Sequence, residues 1–282
     1  MTRQQKKTLK MALSYLVIVL IGCLLLFPIA WMISCAFKTN EEIFGSIALL
    51  PKSFSFQNFV DGWKSAGSYT YLTYFLNSFA LVVPTTVLTI ASSALVAYGF
   101  ARFEFPFKKQ LFALLIATLM LPNSVIIIPR YVLFNKFGWV DSYMPWWVPA
   151  ILACYPFFIY QLIQFMRSIP RDLDESAYID GCSTFRVFWQ ILLPLMKSSL
   201  FSAGLFQFLW TYNDYFNSLI FINSVKKYTV SLALRLSVDA ESVVVWGRVM
   251  AMACVAVLPL VLLFFAAQKY FVEGIATSGL KG

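Results

Sequence analysis

The sequence predicts an all-α integral membrane protein with six transmembrane helices. Two observations lead there. First, 60% of its 282 residues are hydrophobic and only 12% are charged, with a mean hydropathy of +0.74. Apolar residues at that density need lipid as their solvent. Second, charge is missing from long runs. Five stretches (Leu13 to Phe37, Ser65 to Ala101, Gln110 to Pro129, Ser142 to Met166 and Val249 to Gln268) carry no Asp, Glu, Lys or Arg, and a sixth, Ser198 to Val225, carries only Asp214. Each can cross a hydrocarbon core about 30 Å thick at about 1.5 Å per residue. Barrel strands do not fit, because they alternate polar and apolar residues, whereas these runs are apolar all round.

Taken in order, residues 1–12 form a basic tail with Arg3, Lys6, Lys7 and Lys10, residues 13–37 the first span, and residues 38–70 a loop. Residues 71–268 hold the other five spans and a long loop, 167–197, and residues 269–282 form a tail. The first span is 25 residues, whereas the apolar region of a secretory signal runs about 7–15, so it is read as retained. Six spans place both tails, the loop near 102–109 and the loop 167–197 on one side. That side holds 13 Lys or Arg against 9 on the other, and a net charge of +7 against +2. Positive charge marks the cytoplasmic side, so both termini are expected there.

Several functional classes drop out. The net charge of +9 arises from residues that flank spans, which is a membrane pattern and does not call for nucleic acid. The five cysteines (Cys23, Cys35, Cys154, Cys182, Cys254) show no metal or redox spacing, and there is no His. With His go the commonest metal ligand and general base, so no metal site and no catalytic residue are expected. No G-x-x-x-x-G-K-[ST] run is present either, so ATP hydrolysis is not placed on this chain.

The loop reads RSIPRDLDESAYIDGCSTFRVFWQILLPLMK from Arg167 to Lys197. Pro170 stops the preceding helix. Asp172 with Glu175 three residues on predicts an N-cap and capping box for a helix starting near Leu173. Gly181 can take the left-handed conformation that ends it, Ser183 can cap a second helix, and Pro194 disfavours helix at Leu193 and marks an elbow into the next span. The product is a compact helical knob rooted in two transmembrane helices.

This loop resembles the EAA signature of binding-protein-dependent ATP-binding-cassette importer permeases, E-A-A-x₃-G-x₉-I-x-L-P. Here it reads Glu175, Ser176, Ala177, then Gly181, Ile191 and Leu193–Pro194; Ser176 departs, one small residue for another. The segment Phe27 to Phe44, Leu50-Pro51-Lys52, Asn58-Phe59, Asn77-Ser78, Ala97 to Arg102 and the tail Tyr270 to Gly274 are similar to the smaller sugar-importer permeases of the maltose and multiple-sugar type. The resemblance implies a type I importer permease fold, with the second to sixth spans forming a five-helix core and the first wrapping a partner. It implies a homologous second permease, two ATP-binding subunits that carry ATP and Mg, and an extracytoplasmic solute-binding protein. Glu175, Ser176, Ala177, Asp180, Gly181, Ile191, Leu193 and Pro194 would form the coupling loop. Within it, Glu175 would make polar contacts with the ATPase, Ala177 would permit close approach and Gly181 would permit the turn.

A polar solute needs a wetted path, and lone polar groups inside spans are costly unless they line one. Gln207, Trp210, Asn213, Asp214 and Asn217 crowd the fifth span. Gln207, Trp210, Asp214 and Asn217 follow at helical spacing, so they are expected on one face, suited to sugar rings and hydroxyls. A contact with the partner permease is the other reading of that face. Trp139, Tyr143, Trp146 and Trp147 are read as interface anchors. Asp214 also leaves open an ion-coupled carrier, and the substrate class leaves open a non-sugar solute such as a glycerol phosphate.

Overall fold

The structure is a computed structural model that describes residues 3–64, 68–239 and 244–279. It is helical, with no strand among the described residues. Helix α1 spans Arg3–Cys35, α2 Asn40–Gly45, α3 Gln57–Lys64, α4 Tyr71–Arg102, α5 Lys108–Leu119, α6 Asn123–Lys136, α7 Met144–Ile151 and α8 Pro156–Ser168. Then follow α9 Asp172–Ile179, α10 Thr184–Arg186, a π-helical turn Val187–Leu192, α11 Leu193–Leu195 and α12 Lys197–Tyr212. The chain closes with α13 Tyr215–Phe221, a 3₁₀ turn Val225–Lys227, α14 Val230–Asp239 and α15 Trp246–Gly279.

Four segments are long and apolar enough to cross a membrane: Lys10–Cys35, Tyr71–Arg102, Met144–Ser168 and Trp246–Gln268. Two bent pairs bring the number to six when each counts as one span: α5 with α6, bent by 103°, and α10–α11 with α12, bent by 77°. The third uncharged stretch is therefore not one straight helix. It turns at Met120–Pro122, where Pro122 supplies no amide hydrogen and sits in an extended conformation before α6. The basic tail does not begin as a loop either; α1 is already helical at Arg3. No residue in the most apolar window of α1 is buried, so the circumference of that window is left for lipid or another chain, while Ser34 and Cys35 at the end of α1 are buried in the chain itself.

The chain divides into two compact units. One comprises residues 1–71 and 233–259. Its polar stitching is dense. Asn58 Nδ2 donates to the carbonyls of Ala36 at 3.0 Å and Lys38 at 2.9 Å. Asn40 accepts from Trp246 N at 2.8 Å and donates to Val244 O at 2.7 Å. Lys38 is buried; its Nζ donates to Ala48 O and lies 4.6 Å from the Trp31 ring centre, so its charge is met by a carbonyl and a ring face. Gly247 packs against this knot: a Cβ there would come within 2.4 Å of Asn58 Nδ2 and 2.5 Å of Lys38 O.

The other unit comprises residues 72–232 and 260–282. One apolar cluster joins Ala94, Ala97, Tyr98 and Ala101 of α4 to Phe158, Leu162, Ile163 and Met166 of α8, to Ala177, and to Val187, Phe188 and Leu192 of the π-helical turn. A second cluster gathers Leu81, Ile127, Phe134, Trp146, Phe221, Ile222 and Leu232. Asn77 and Ser78 fasten the chain near 226–230 to α4: Asn77 Nδ2 donates to Lys226 O at 2.7 Å and Tyr228 O at 2.9 Å, and Ser78 Oγ accepts from Val230 N at 2.9 Å.

Asp141, at φ +59, forms a clasp. It accepts from Asn223 N at 3.0 Å, Ser224 N at 2.8 Å and Ser224 Oγ at 2.6 Å, and pairs with Lys227 Nζ at 3.1 Å. Burial alone would push the Asp141 carboxyl up, but Ser224, Lys227 and the Asn223 amide donate to it and hold it well below the usual carboxylate range.

Two outcomes follow for stability. Gly247→Ala is expected to cost about 1–3 kcal/mol through overpacking, read as a lower thermal midpoint in detergent; an unchanged midpoint would show that Asn58 and Lys38 yield freely. Because the folded Asp141 carboxyl has the lower pKa, its contribution is complete above the unfolded value of about 4 and drains away as pH falls through the folded value. Asp141→Asn should thus lower the midpoint at neutral pH and converge on the parent in acid; parallel curves would contradict the clasp.

Candidate functional site

Residues 169–196 form the elbow. Asp172 is the first residue of α9 rather than its cap; the cap position is Arg171, with no side-chain bond. Ile169 is extended, and Pro170 sets the chain so that Asp172, Asp174 and Glu175 all fall in the first turn, where acids favour the helix dipole. Gly181 ends the helix at φ +79 with open space beside it, so backbone conformation, not crowding, demands glycine there. The Cys182 amide returns to Ala177 O at 2.9 Å, the six-to-one bond that closes such an ending. Ser183 caps α10, accepting from Arg186 N at 3.4 Å.

The bend comes at Met196, two residues past the expected place, and Leu193 stays helical. The π-helical turn before it explains this. A widened turn relaxes the clash between a proline ring and the carbonyl four residues back, so Pro194 is accommodated.

The elbow has two faces. Asp174, Ala177, Val187, Phe188, Leu192 and Met196 are buried, with Ile191 and Leu193 half-buried beside them. Glu175, Ser176, Asp180, Gly181 and Pro194 are exposed. So are Leu173 and Ile179, the latter 86% exposed, and the stacked pair Phe185 and Trp189. Ala177 is packed within its own chain, in the α4–α8 cluster. Ser176 Oγ bonds back to Asp172 O at 2.8 Å.

The elbow is also fastened to α4, which sequence reading did not foresee. Arg102 Nε lies 2.6 Å from Asp174 Oδ2, with the two side chains 6% and 10% exposed. Arg102 donates to Ile169 O at 3.1 Å and Arg171 to Ala101 O at 3.3 Å. Tyr98 donates to Thr184 O at 3.0 Å and packs on Phe188 at 4.9 Å. Burial pushes the Asp174 carboxyl up, against the pull of Arg102 and Arg171, and the net direction is upward.

The fifth span is not one helical face. The helix stops at Tyr212 and restarts at Tyr215, with Asp214 capping α13 by accepting from Asn217 N at 3.1 Å. A side chain that can bond its own backbone competes with helix continuation, and Asp214 does so here. The expected set separates. Gln207 is buried and donates to Thr211 Oγ1 at 2.9 Å. Trp210, half-exposed, packs on Phe157 and Phe158. Asn213 is exposed and bonds Leu209 O.

Asp214 and Asn217 instead join residues from other helices. Asn217 Nδ2 donates to both Asp214 carboxylate oxygens at 2.8 and 2.9 Å, and Trp146 Nε1 donates to Asp214 Oδ2 at 3.2 Å. Arg130 of α6 donates to Asn217 Oδ1 and to Asn123 Oδ1, the latter at 3.2 Å, and its guanidinium lies 5.5 Å from the Phe221 ring centre. Trp146 is thus buried in the second apolar cluster, with its indole N–H turned to Asp214, and is not exposed as an interface anchor would be. Arg130 was legible only as the charge that ends the third uncharged stretch. A groove of about 480 Å³ between α4 and the elbow, lined by Ile90, Ala94, Phe185, Trp189 and Leu200 among others, is almost wholly apolar, which suits no polar solute. Among the described residues, no group of three or more His, Cys, Asp or Glu is placed to hold a metal ion.

Residues 90–277 match the family described as the binding-protein-dependent transport system inner membrane component. The chain belongs to this importer-permease family. It is 34% identical to the probable ABC transporter permease protein YurM of Bacillus subtilis, over 91% of this chain and 84% of that one. It is 29% identical to the trehalose/maltose transport system permease MalG of Thermococcus litoralis over 99% of both chains. The arabinooligosaccharides transport system permease AraQ of Bacillus subtilis matches at 30% over 93% of both. The fold is that of a chain in the crystal structure of a bacterial ABC transporter that imports the acidic polysaccharide alginate, with a TM-score of 0.83 and 17% identity, covering 96% of this chain and 99% of that one. The permease is thus a multi-pass, all-helical membrane subunit.

The broken span sets an expectation. Asp214→Ala removes the α13 cap and should cost about 0.5–2 kcal/mol, whereas Asp214→Asn, an equally good cap, should cost much less. Thermal unfolding of the purified permease measures both, and equal losses would show that charge, not capping, is what Asp214 supplies.

Proposed function

We propose that this chain is the membrane-spanning subunit of an ATP-driven importer that carries a sugar or oligosaccharide into the cytoplasm by alternating access. The observation that carries this reading is the two-faced elbow. An exposed surface of Glu175, Asp180, Leu173 and Ile179 stands on a base buried in the chain's own core, which suits a handle gripped by another protein. The partner is a pair of ATP-binding-cassette subunits, which bind ATP and Mg. Closure of that motor moves the elbows of two homologous permeases and switches the path from inward to outward. The second permease covers the apolar circumference of α1. A solute-binding protein docks on the outer side, at residues 38–64. Both termini lie in the cytoplasm and the subunit resides in the cell membrane.

The sugar assignment follows relatives named for trehalose/maltose and arabinooligosaccharides. Trp146, Asp214, Asn217 and Arg130, with Gln207, Trp210 and Asn213 nearby in sequence, are the candidates for lining the path. Aromatic faces and fixed polar groups together match a carbohydrate.

Uptake of labelled maltodextrins, trehalose and arabino-oligosaccharides into proteoliposomes holding the assembled importer tests the reading. Uptake is expected to require ATP and to survive a protonophore; loss with the protonophore would favour an ion-coupled carrier. Glu175→Lys and Gly181→Asp should each abolish uptake while the subunit still inserts, because one reverses the handle's charge and the other places a side chain at a left-handed turn, a strain of about 1 kcal/mol or more. Normal uptake by both would remove the elbow from the mechanism.

A further inference from the structure

The elbow leads in sequence to α8 and α12, the spans on either side of it, yet its polar anchors run to α4. The last turn of that span reaches the elbow at four points: Arg102 to Asp174, Arg102 to Ile169 O, Ala101 O to Arg171, and Tyr98 to Thr184 O. These contacts touch α9, the residues just before it and the start of α10, so α4 holds both halves of the elbow. Apolar packing between Tyr98 and Phe188 reinforces the second half.

The ion pair is the part of this junction that resists sliding. Apolar neighbours can slip by an ångström and remain in contact, but a buried charge that loses its partner is left uncompensated, at a cost far above thermal energy. Asp174 Oδ1 is buried with no hydrogen-bond partner among the described residues, so the carboxylate is especially dependent on the cation beside Oδ2. As a means of stability alone, such a pair is a poor choice, since apolar residues of similar volume serve as well or better. Its value lies in register.

We propose that Arg102 and Asp174 form a buried strut that makes the end of α4 move with the elbow, so that both are positioning residues for coupling. The face that Glu175 presents outward is held in place by the neighbouring Asp174 turned inward, and a pull on the one reaches α4 through the other. This deepens the importer reading above and rests on it.

The test is a double-mutant cycle in the complete importer reconstituted in proteoliposomes, reading solute taken up per ATP hydrolysed and normalising to the amount of assembled complex. Arg102→Gln and Asp174→Asn are each expected to lower that ratio about tenfold or more, within the usual span of coupling between linked sites. The double variant should be no worse than either single, since the two residues act as one unit. The exchanged pair, Arg102→Asp with Asp174→Arg, supplies a second check, with recovery above either single expected. Unchanged ratios in the singles would overturn the strut, and so would losses that multiply in the double variant. A fall in assembled complex with the ratio intact would assign the pair to folding alone and overturn it too. A parent complex that takes up nothing on ATP would instead overturn the importer reading, which keeps the two failures apart.

Discussion

A polar group withdrawn from water needs a protein partner, and in a chain this apolar that requirement shapes most departures from straight helix. Lys38 is buried against Ala48 O and the face of Trp31. Arg130 reaches Asn123 and Asn217. Asp214 interrupts a span, and the interruption is tolerated because its carboxylate caps the next helix and receives Trp146. In each case the charge is answered by groups from elsewhere in the fold, so the polar residues specify how the helices meet, while the apolar ones supply most of the burial.

The elbow applies the same rule at the end of a span. Two neighbouring acids on α9 have opposite fates: Asp174 is turned in to Arg102, and Glu175 is turned out. A helix advances about 100° per residue, so consecutive side chains cannot share a direction. That places an internal anchor and an exposed acid side by side on one short helix. The π-helical turn then allows Pro194 to continue the chain without an early break, and the redirection into α12 is deferred to Met196.

The aromatic residues divide in a similar way. Trp146 and Phe221 lie inside the second cluster and meet edge to face, at 5.8 Å, a favourable arrangement for rings. Phe185 and Trp189 stack on the exposed side of the elbow. Composition alone cannot separate these roles, because an aromatic residue is equally at home in a core, at a headgroup or against a partner.

What the sequence determined by itself was whatever local chemistry dictates. Charge-free runs announced the spans, Gly181 announced a left-handed ending, Ser183 announced a cap, and the spacing from Glu175 to Pro194 announced the family. What only the tertiary structure decided was direction and company. It placed Ala177 inward, split Gln207 and Trp210 from Asp214, drew Arg130 to Asn217 and the Trp146 indole N–H to Asp214, and brought Arg102 to Asp174. The reason is physical: periodicity tells which residues share a helical face only while the helix continues. Where a helix breaks, or where two distant helices cross, the partner of a buried charge is set by packing that no local pattern encodes.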